Sequence, residues 1–203
     1  MIYPEFHNIT IDNQVGVSPV GQDTMLIAQQ VAKLDFNRAL EVGTGTGFIP
    51  IYLSTLIRKC EGIDINPQAI TCAKENAKLN HVNVNFYLSD LFANVSGKFD
   101  LIIFNPPYGN VRSTSLSKYL EIIKSLLPKE NALISRISYP LIKKDRRQLI
   151  NSFLNKANSI LTNPGNIVIL LHHTELDLIK DREHIVLAKL GLQKLVSLKT
   201  DSK

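Results

Sequence analysis

Short, nearly continuous apolar runs alternate with amphipathic stretches along this chain, and that alternation narrows the fold more than any other feature. The runs are Ala39–Val42, Cys60–Ile63, Val84–Leu88, Leu101–Phe104 and Ile167–Leu171, with a last one around Leu192–Leu198. A strand that is apolar at every position must be buried on both faces, which calls for a parallel sheet covered by helices. Helical spacing fills the gaps between the runs. Asp23-Thr24 opens a stretch in which Met25, Leu26, Ala28 and Val31 share a face, and a second helix extends to Ile57. Asn66-Pro67 offers a capping side chain and a proline at the first helical position, and Ile70, Ala73 and Ala77 supply the stripe behind it. From Arg146, the residues Leu149, Ile150, Phe153, Leu154, Ala157, Ile160 and Leu161 recur at helical spacing, and Asn163-Pro164-Gly165 reads as the stop. A further helical stretch precedes the last strand. At the N-terminus, Ile9–Val17 reads as a hairpin turning at Asp12-Asn13. The expected fold is α/β and doubly wound, in one domain over residues 1–203, with 1–20 as an N-terminal hairpin extension.

Composition narrows the function classes. A chain of 203 residues can bury about 70% of the surface its unfolded form would expose. Its 44% hydrophobic and 20% charged content is that of a soluble globular protein. Apolar runs such as Ile167–Leu171 are too short to span a bilayer. Glu5, His7 and Asp12 interrupt the region a secretory signal would need, so a cytoplasmic setting is expected. Cys60 and Cys72 suggest buried reduced thiols and provide neither a disulfide framework nor a metal site. A net charge of +5 permits an anionic partner such as RNA without requiring one.

Two strand ends carry the chemistry. The first run ends in Glu41-Val42-Gly43-Thr44-Gly45-Thr46-Gly47, and the Leu101–Phe104 run ends in Asn105-Pro106-Pro107-Tyr108. Ligands of open parallel sheets sit at the carboxyl ends of strands where the strand order reverses. A glycine turn there lets a ligand approach the backbone and tolerates positive φ. Asp64 ends the second run, 17 residues after Gly47, where a carboxylate can accept hydrogen bonds from both hydroxyls of a ribose. Asp90 follows the third run and can accept from an adenine amino group, with Ile65 and Leu91 on either side of the ring. A nicotinamide dinucleotide fits poorly, because the fingerprint would need its third glycine at Phe48. The triphosphate-cradling Gly-x-x-x-x-Gly-Lys-Ser/Thr pattern is absent. Glycines at 43, 45 and 47 favour S-adenosylmethionine.

Together these residues resemble the class I S-adenosylmethionine-dependent methyltransferases, and among them the amino-methyltransferases with an Asn-Pro-Pro-Tyr motif. Glu41 to Gly47 is similar to the family's first motif, Asp64 to its ribose-binding acid, Asp90 to its adenine-binding acid, and Asn105 to Tyr108 to its catalytic tetrad. The resemblance implies a seven-stranded, mostly parallel sheet whose last strand is antiparallel. It also implies transfer of a methyl group to a planar amine. The chemistry matches the motif. An amide or exocyclic nitrogen is a weak nucleophile because its lone pair is delocalised. The Asn105 side-chain oxygen and the Pro106 carbonyl can each accept one N–H and draw the nitrogen toward tetrahedral geometry. Pro106 and Pro107 stiffen the turn, and Tyr108 stacks on the planar substrate. Methylation itself acidifies the remaining N–H, which water can remove.

The identity of the amine stays open at this level. Pro19 and Asp23-Thr24 resemble the segment ahead of the first helix in enzymes that methylate a glutamine of protein release factors, and there Thr24 would help cover the cofactor. Arg146 to Gly165 resembles a helix and turn of the same enzymes. Relatives with the same tetrad methylate adenine or guanine in RNA or DNA. Lys143, Lys144, Arg146 and Arg147 form a basic cluster that can hold phosphates, and Arg112, Lys118 and Arg136 can extend it. His172 and His173, adjacent at a strand end, are expected to point opposite ways and to serve no metal. The expected partner is a macromolecular substrate, nucleic acid or release factor, with an activator subunit as a possible addition. The alternative is a non-catalytic subunit of methyltransferase fold that binds a protein or RNA partner.

Overall fold

The computed structural model describes residues 1–56, 58–107 and 145–199, so Tyr108, Arg112, Lys118, Arg136, Lys143 and Lys144 lie outside the described residues, as does Ile57. In chain order the elements are β1 (Ile2–Tyr3), β2 (Ile9–Thr10), α1 (Gln22–Val31), β3 (Arg38–Val42), α2 (Phe48–Thr55), β4 (Lys59–Asp64), α3 (Pro67–Leu79), β5 (Phe86–Leu88) and β6 (Phe99–Phe104). They continue with α4 (145–157), β7 (Leu161–His172), β8 (His184–Leu190) and β9 (Gln193–Lys199). Two compact units emerge, Met1–Asn105 with Lys156–Lys203, and Pro106–Asn155.

The first unit carries a seven-stranded sheet in the order β5-β4-β3-β6-β7-β9-β8. Strands β3 to β7 run parallel, β9 is antiparallel to β7, and β8 is antiparallel to β9. The chain builds outward from β3 through β4 to β5, then returns to the other side of β3 with β6. The strand order therefore reverses between β3 and β6, and the carboxyl ends of these two strands carry the glycine turn and Asn105. One face of the sheet packs Ala39, Leu101, Ile103 and Val168 against Ile27 and Val31 of α1, Phe48 and Ile51 of α2 and Ala73 of α3. Leu40, Ile102 and Ile169, which alternate with them, are buried as well. Continuous apolar strands thus have the double burial that their pattern requires.

Asn66 caps α3 as expected: its side chain accepts from the Gln68 N–H at 3.0 Å, with Pro67 at the first helical position. Ile70, Ala73 and Ala77 are buried beneath it. In α1 the buried residues are Ile27, Ala28 and Val31, while Met25 and Leu26 are half-buried.

Three local expectations are corrected. The N-terminal hairpin is β1 paired with β2, and Asp12-Asn13 is no hairpin turn. Asn80, the C-cap of α3, instead accepts from the Thr10 N–H and donates to the Thr10 carbonyl. Asn76, one helical turn earlier, does the same for Asp12. Two side-chain amides on a helix take the place of a strand partner. Asn163-Pro164-Gly165 lies inside β7 and does not stop α4, which ends at 157 in a turn over 158–160. Leu161 pairs with Phe99 and Asn166 with Leu101, so the turn-forming residues occupy an irregularity in the ladder. Finally, β8 is a strand that the sequence reading did not separate from the helical stretch before β9.

Candidate functional site

The glycine turn is tied to the neighbouring strand. The N–H groups of Gly43 and Thr44 both donate to the Ile63 carbonyl, at 2.8 and 2.9 Å, and the Gly47 N–H closes the turn on the Thr44 carbonyl. Gly43 and Gly45 have φ of +73° and +54°, and added Cβ atoms there would stand 3.9 Å or more from any other atom. These two positions leave room for a ligand against the backbone. Gly47 is a glycine for another reason: a Cβ there would meet Ala73 Cβ and the Phe86 ring at 2.9 Å. Its smallness serves the packing of α3 and β5. Gly62 on β4 has the same need, since a Cβ would approach Phe86 and Thr44 Oγ1 at 2.6–2.7 Å.

Asp64, at the end of β4, holds two backbone donors. Its Oδ2 accepts from the Gly45 N–H at 3.0 Å and its Oδ1 from the Asn66 N–H at 2.9 Å. A carboxylate has about four acceptor sites, so capacity remains for a diol. Ile65 beside it is 52% exposed. Across from β4, the Ser89 N–H donates to the Asp64 carbonyl, and the Ser89 hydroxyl holds the Leu91 carbonyl at 2.7 Å. That bond fixes Leu91 at φ +48°, a conformation unusual for a branched side chain, with Asp90 exposed just before it. A carboxylate with spare acceptor capacity, an exposed acid and apolar side chains at successive strand ends fit the hydroxyls, amino group and ring of an adenosine.

Glu41 behaves differently. It is buried, and its Oε2 accepts from the Thr44 hydroxyl at 2.7 Å. Burial pushes its carboxyl up to about 8; the Thr44 bond opposes the shift and the negative charge of Asp64 adds to it.

Asn105 closes β6, and its amide is oriented from one side. Nδ2 donates to Asp23 Oδ2 of α1 at 2.8 Å, whereas Oδ1 is buried without a hydrogen-bond partner among the described residues. Leaving such an acceptor unsatisfied costs about 1–3 kcal/mol, so the arrangement calls for a reason. Thr24, next to Asp23 in the first turn of α1, is half-buried.

In the second unit, Pro106 and Pro107 are held by Arg146. Its Nη1 donates to the carbonyls of both, the latter at 2.8 Å, and the side chain is only 3% exposed. The Pro106 carbonyl, expected to face a substrate N–H, therefore already has one donor. Arg146, expected in a phosphate-holding basic cluster, is instead a buried cation seated on the proline turn. The two histidines also depart from expectation. Their rings lie 4.2 Å apart, because His172 leaves the strand as the N-cap of the short 3-10 helix His173–Ile179 and the alternation of the strand ends there. No group of three metal-ligating side chains occurs among the described residues, and both cysteines are free and buried. Nor is any described helix long and apolar enough to cross a membrane.

The sequence assigns no role to Asp23 beside Asn105, and it does not reveal that Arg146 holds the proline turn. Asp23 stands 82 positions before Asn105, and no local pattern joins them.

Comparison with known proteins finds methyltransferases in sequence and in fold. A Methanocaldococcus jannaschii protein named as a protein N5-glutamine methyltransferase is 45% identical over 105 residues, 51% of this chain and 53% of that protein. The release factor glutamine methyltransferase of Deinococcus radiodurans is 39% identical over 85 residues, 41% of this chain and 31% of that one. The Haemophilus influenzae enzyme of the same name is 36% identical over 123 residues, 51% and 42% of the two chains. The chain thus spans about half the length of the first relative and less of the others. Among solved structures, a methyltransferase from Pyrococcus furiosus superposes with a TM-score of 0.66 at 17% identity, over 94% of this chain and 88% of that one. The ribosomal protein L11 methylase of Lactobacillus delbrueckii subsp. bulgaricus gives 0.63 at 19% identity, over 94% and 83%. Both share the fold. The family model described as methyltransferase small domain matches residues 9–134, and the chain belongs to that family.

Proposed function

We propose that this protein methylates the side-chain amide nitrogen of a glutamine in another protein, with S-adenosylmethionine as methyl donor. The observation that carries the reading is the Oδ1 of Asn105, buried and without a hydrogen-bond partner among the described residues, at the strand end beside the glycine turn. An acceptor kept unsatisfied there suits a substrate N–H. When bound, S-adenosylmethionine supplies an electrophilic methyl group on a sulfonium. Asp64 would bind the ribose hydroxyls, Asp90 the adenine amino group, and Ile65 and Leu91 the faces of the ring. Gly43 and Gly45 would give the ligand close access to the backbone, and Thr24 would cover it. Glu41 and Gly47 would support the turn from behind, through Thr44 and through the contact with α3.

Asn105 Oδ1 would accept one N–H of the substrate amide, drawing its nitrogen out of conjugation. The remaining lone pair of the Pro106 carbonyl is available for the other N–H, and Tyr108 would stack on the amide plane. Water takes the proton that methylation acidifies. Glutamine is favoured over a nucleobase because the relatives that match across this region are named for glutamine methylation. Moreover, Arg146, one of the four cations expected to hold phosphates, is buried and donates to the Pro106 and Pro107 carbonyls. The setting we propose is the cytoplasm, where release factors act.

The test is transfer of labelled methyl from S-adenosylmethionine to a purified bacterial release factor and, in parallel, to total RNA. Label that survives ribonuclease and is released as methylamine on acid hydrolysis is expected. Ribonuclease-sensitive label would make a nucleobase the substrate. Cofactor binding without transfer to either would point to the non-catalytic alternative or a missing activator.

A further inference from the structure

We infer that Asp23 is a positioning residue: its carboxylate sets which end of the Asn105 amide faces the reacting site. The inference rests on the proposed N-methylation and goes beyond it by assigning a residue outside the Asn-Pro-Pro-Tyr segment. The two ends of a side-chain amide are nearly isosteric, so an asparagine can turn over with little steric penalty. Turned over, Asn105 would offer N–H groups where a substrate amine also offers N–H groups, and the acceptor would be lost. An ionised carboxylate accepts and never donates. With Asp23 Oδ2 at 2.8 Å, the NH₂ end is therefore held on the α1 side and Oδ1 is left facing away, buried and without a partner among the described residues.

The same bond has an electronic consequence. Donation of an N–H to a charged acceptor shifts amide electron density toward Oδ1, which strengthens it as an acceptor for the next donor. Asp23 sits in the first turn of α1, and Asn105 ends β6 in the middle of the sheet. The acceptor is thus aimed by two elements whose buried residues, Ile27 and Val31 on α1 and Leu101 and Ile103 on β6, belong to one core within the first unit.

The test has two arms that fail independently. In the free full-length protein, the Asn105 side-chain amide signals are identified by their disappearance in Asn105→Ala. We expect one proton to be shifted downfield and slow to exchange, and to lose both properties in Asp23→Ala. Unchanged signals in that variant would overturn the proposal, whether or not the substrate assignment is right. In the second arm, methyl transfer to a purified release factor is measured for Asp23→Ala, Asn105→Ala and the double variant. Asp23→Ala should lower kcat about 10–10²-fold with S-adenosylmethionine affinity within about twofold, and the double variant should be no slower than Asn105→Ala alone. Asp23→Asn, which keeps an acceptor opposite Nδ2, should recover most of the loss. Multiplicative losses in the double variant would show that Asp23 acts elsewhere and would overturn the proposal. A wild-type protein that transfers nothing would count against the proposed function alone, and the spectroscopic arm would still decide the role of Asp23.

Discussion

Asp64 and Gly45 join the carboxyl ends of β4 and β3: the carboxylate Oδ2 of Asp64 accepts the Gly45 N–H at 3.0 Å. Its Oδ1 meanwhile holds the Asn66 N–H, which starts α3. One carboxylate thereby fixes the glycine turn of β3 and the helix entry after β4, and it keeps acceptor capacity for the ribose hydroxyls that the proposed function assigns to it. A residue with both jobs should show both losses. Asp64→Ala should weaken S-adenosylmethionine binding by about 10²-fold, since bonds to a charged acceptor contribute about 1.5–3 kcal/mol each. It should also lower unfolding stability by about 1–3 kcal/mol in the free protein, through the released N–H groups. Calorimetry and denaturant titration measure the two. Unchanged affinity with lowered stability would leave Asp64 as a turn-holding residue without the ribose.

Glu41 predicts a pH dependence. Its folded carboxyl is raised to about 8 by burial, and the ordinary value is 4.5. A group that binds its proton more tightly when folded contributes stability fully below its unfolded value and loses it as pH rises through its folded value. Stability should therefore fall between about pH 4.5 and 8 by a few kcal/mol. Glu41→Gln keeps an acceptor for the Thr44 hydroxyl and cannot ionise. Its denaturation midpoint should be flatter than the wild type's from pH 5.5 to 8.5. Parallel curves for the two proteins would contradict the burial argument.

Arg146 is a prediction about the proline turn. Its guanidinium holds the Pro106 and Pro107 carbonyls from a buried position in the second unit. Arg146→Ala removes both bonds and should lower unfolding stability by about 1–3 kcal/mol and turnover by about tenfold or more. Wild-type melting and turnover in this variant would show that the turn holds itself. Reduced RNA binding with unchanged melting would restore the phosphate-cluster reading.

The parts of this fold that were legible in the sequence are those specified by neighbouring residues. Continuous apolar runs located β3, β4 and β6, and Asn66-Pro67 located the start of α3, because capping and double burial are local demands. The glycine turn and Asp64 were visible for the same reason. What escaped depends on partners far along the chain. Asn76 and Asn80 bind Asp12 and Thr10 from 64 and 70 positions away, which turns a supposed hairpin into a strap along α3. Asn163-Pro164-Gly165 carries every local mark of a stop, yet the ladder with β6 bulges around it. His184–Leu190 lacks clean alternation, and its half-exposed residues fit the edge of the sheet. Arg146 sits within a run of basic residues suited to phosphates, and its burial depends on the Pro106 and Pro107 carbonyls, 40 and 39 positions away.

The central claim is that Asn105 presents its side-chain oxygen to the amine being methylated. The most direct measurement is turnover and S-adenosylmethionine affinity for Asn105→Ala on the identified substrate. In this variant kcat should fall about 10²–10³-fold, comparable to removing one positioned polar contact from a reacting site, with cofactor affinity largely retained. Near-wild-type turnover would contradict it.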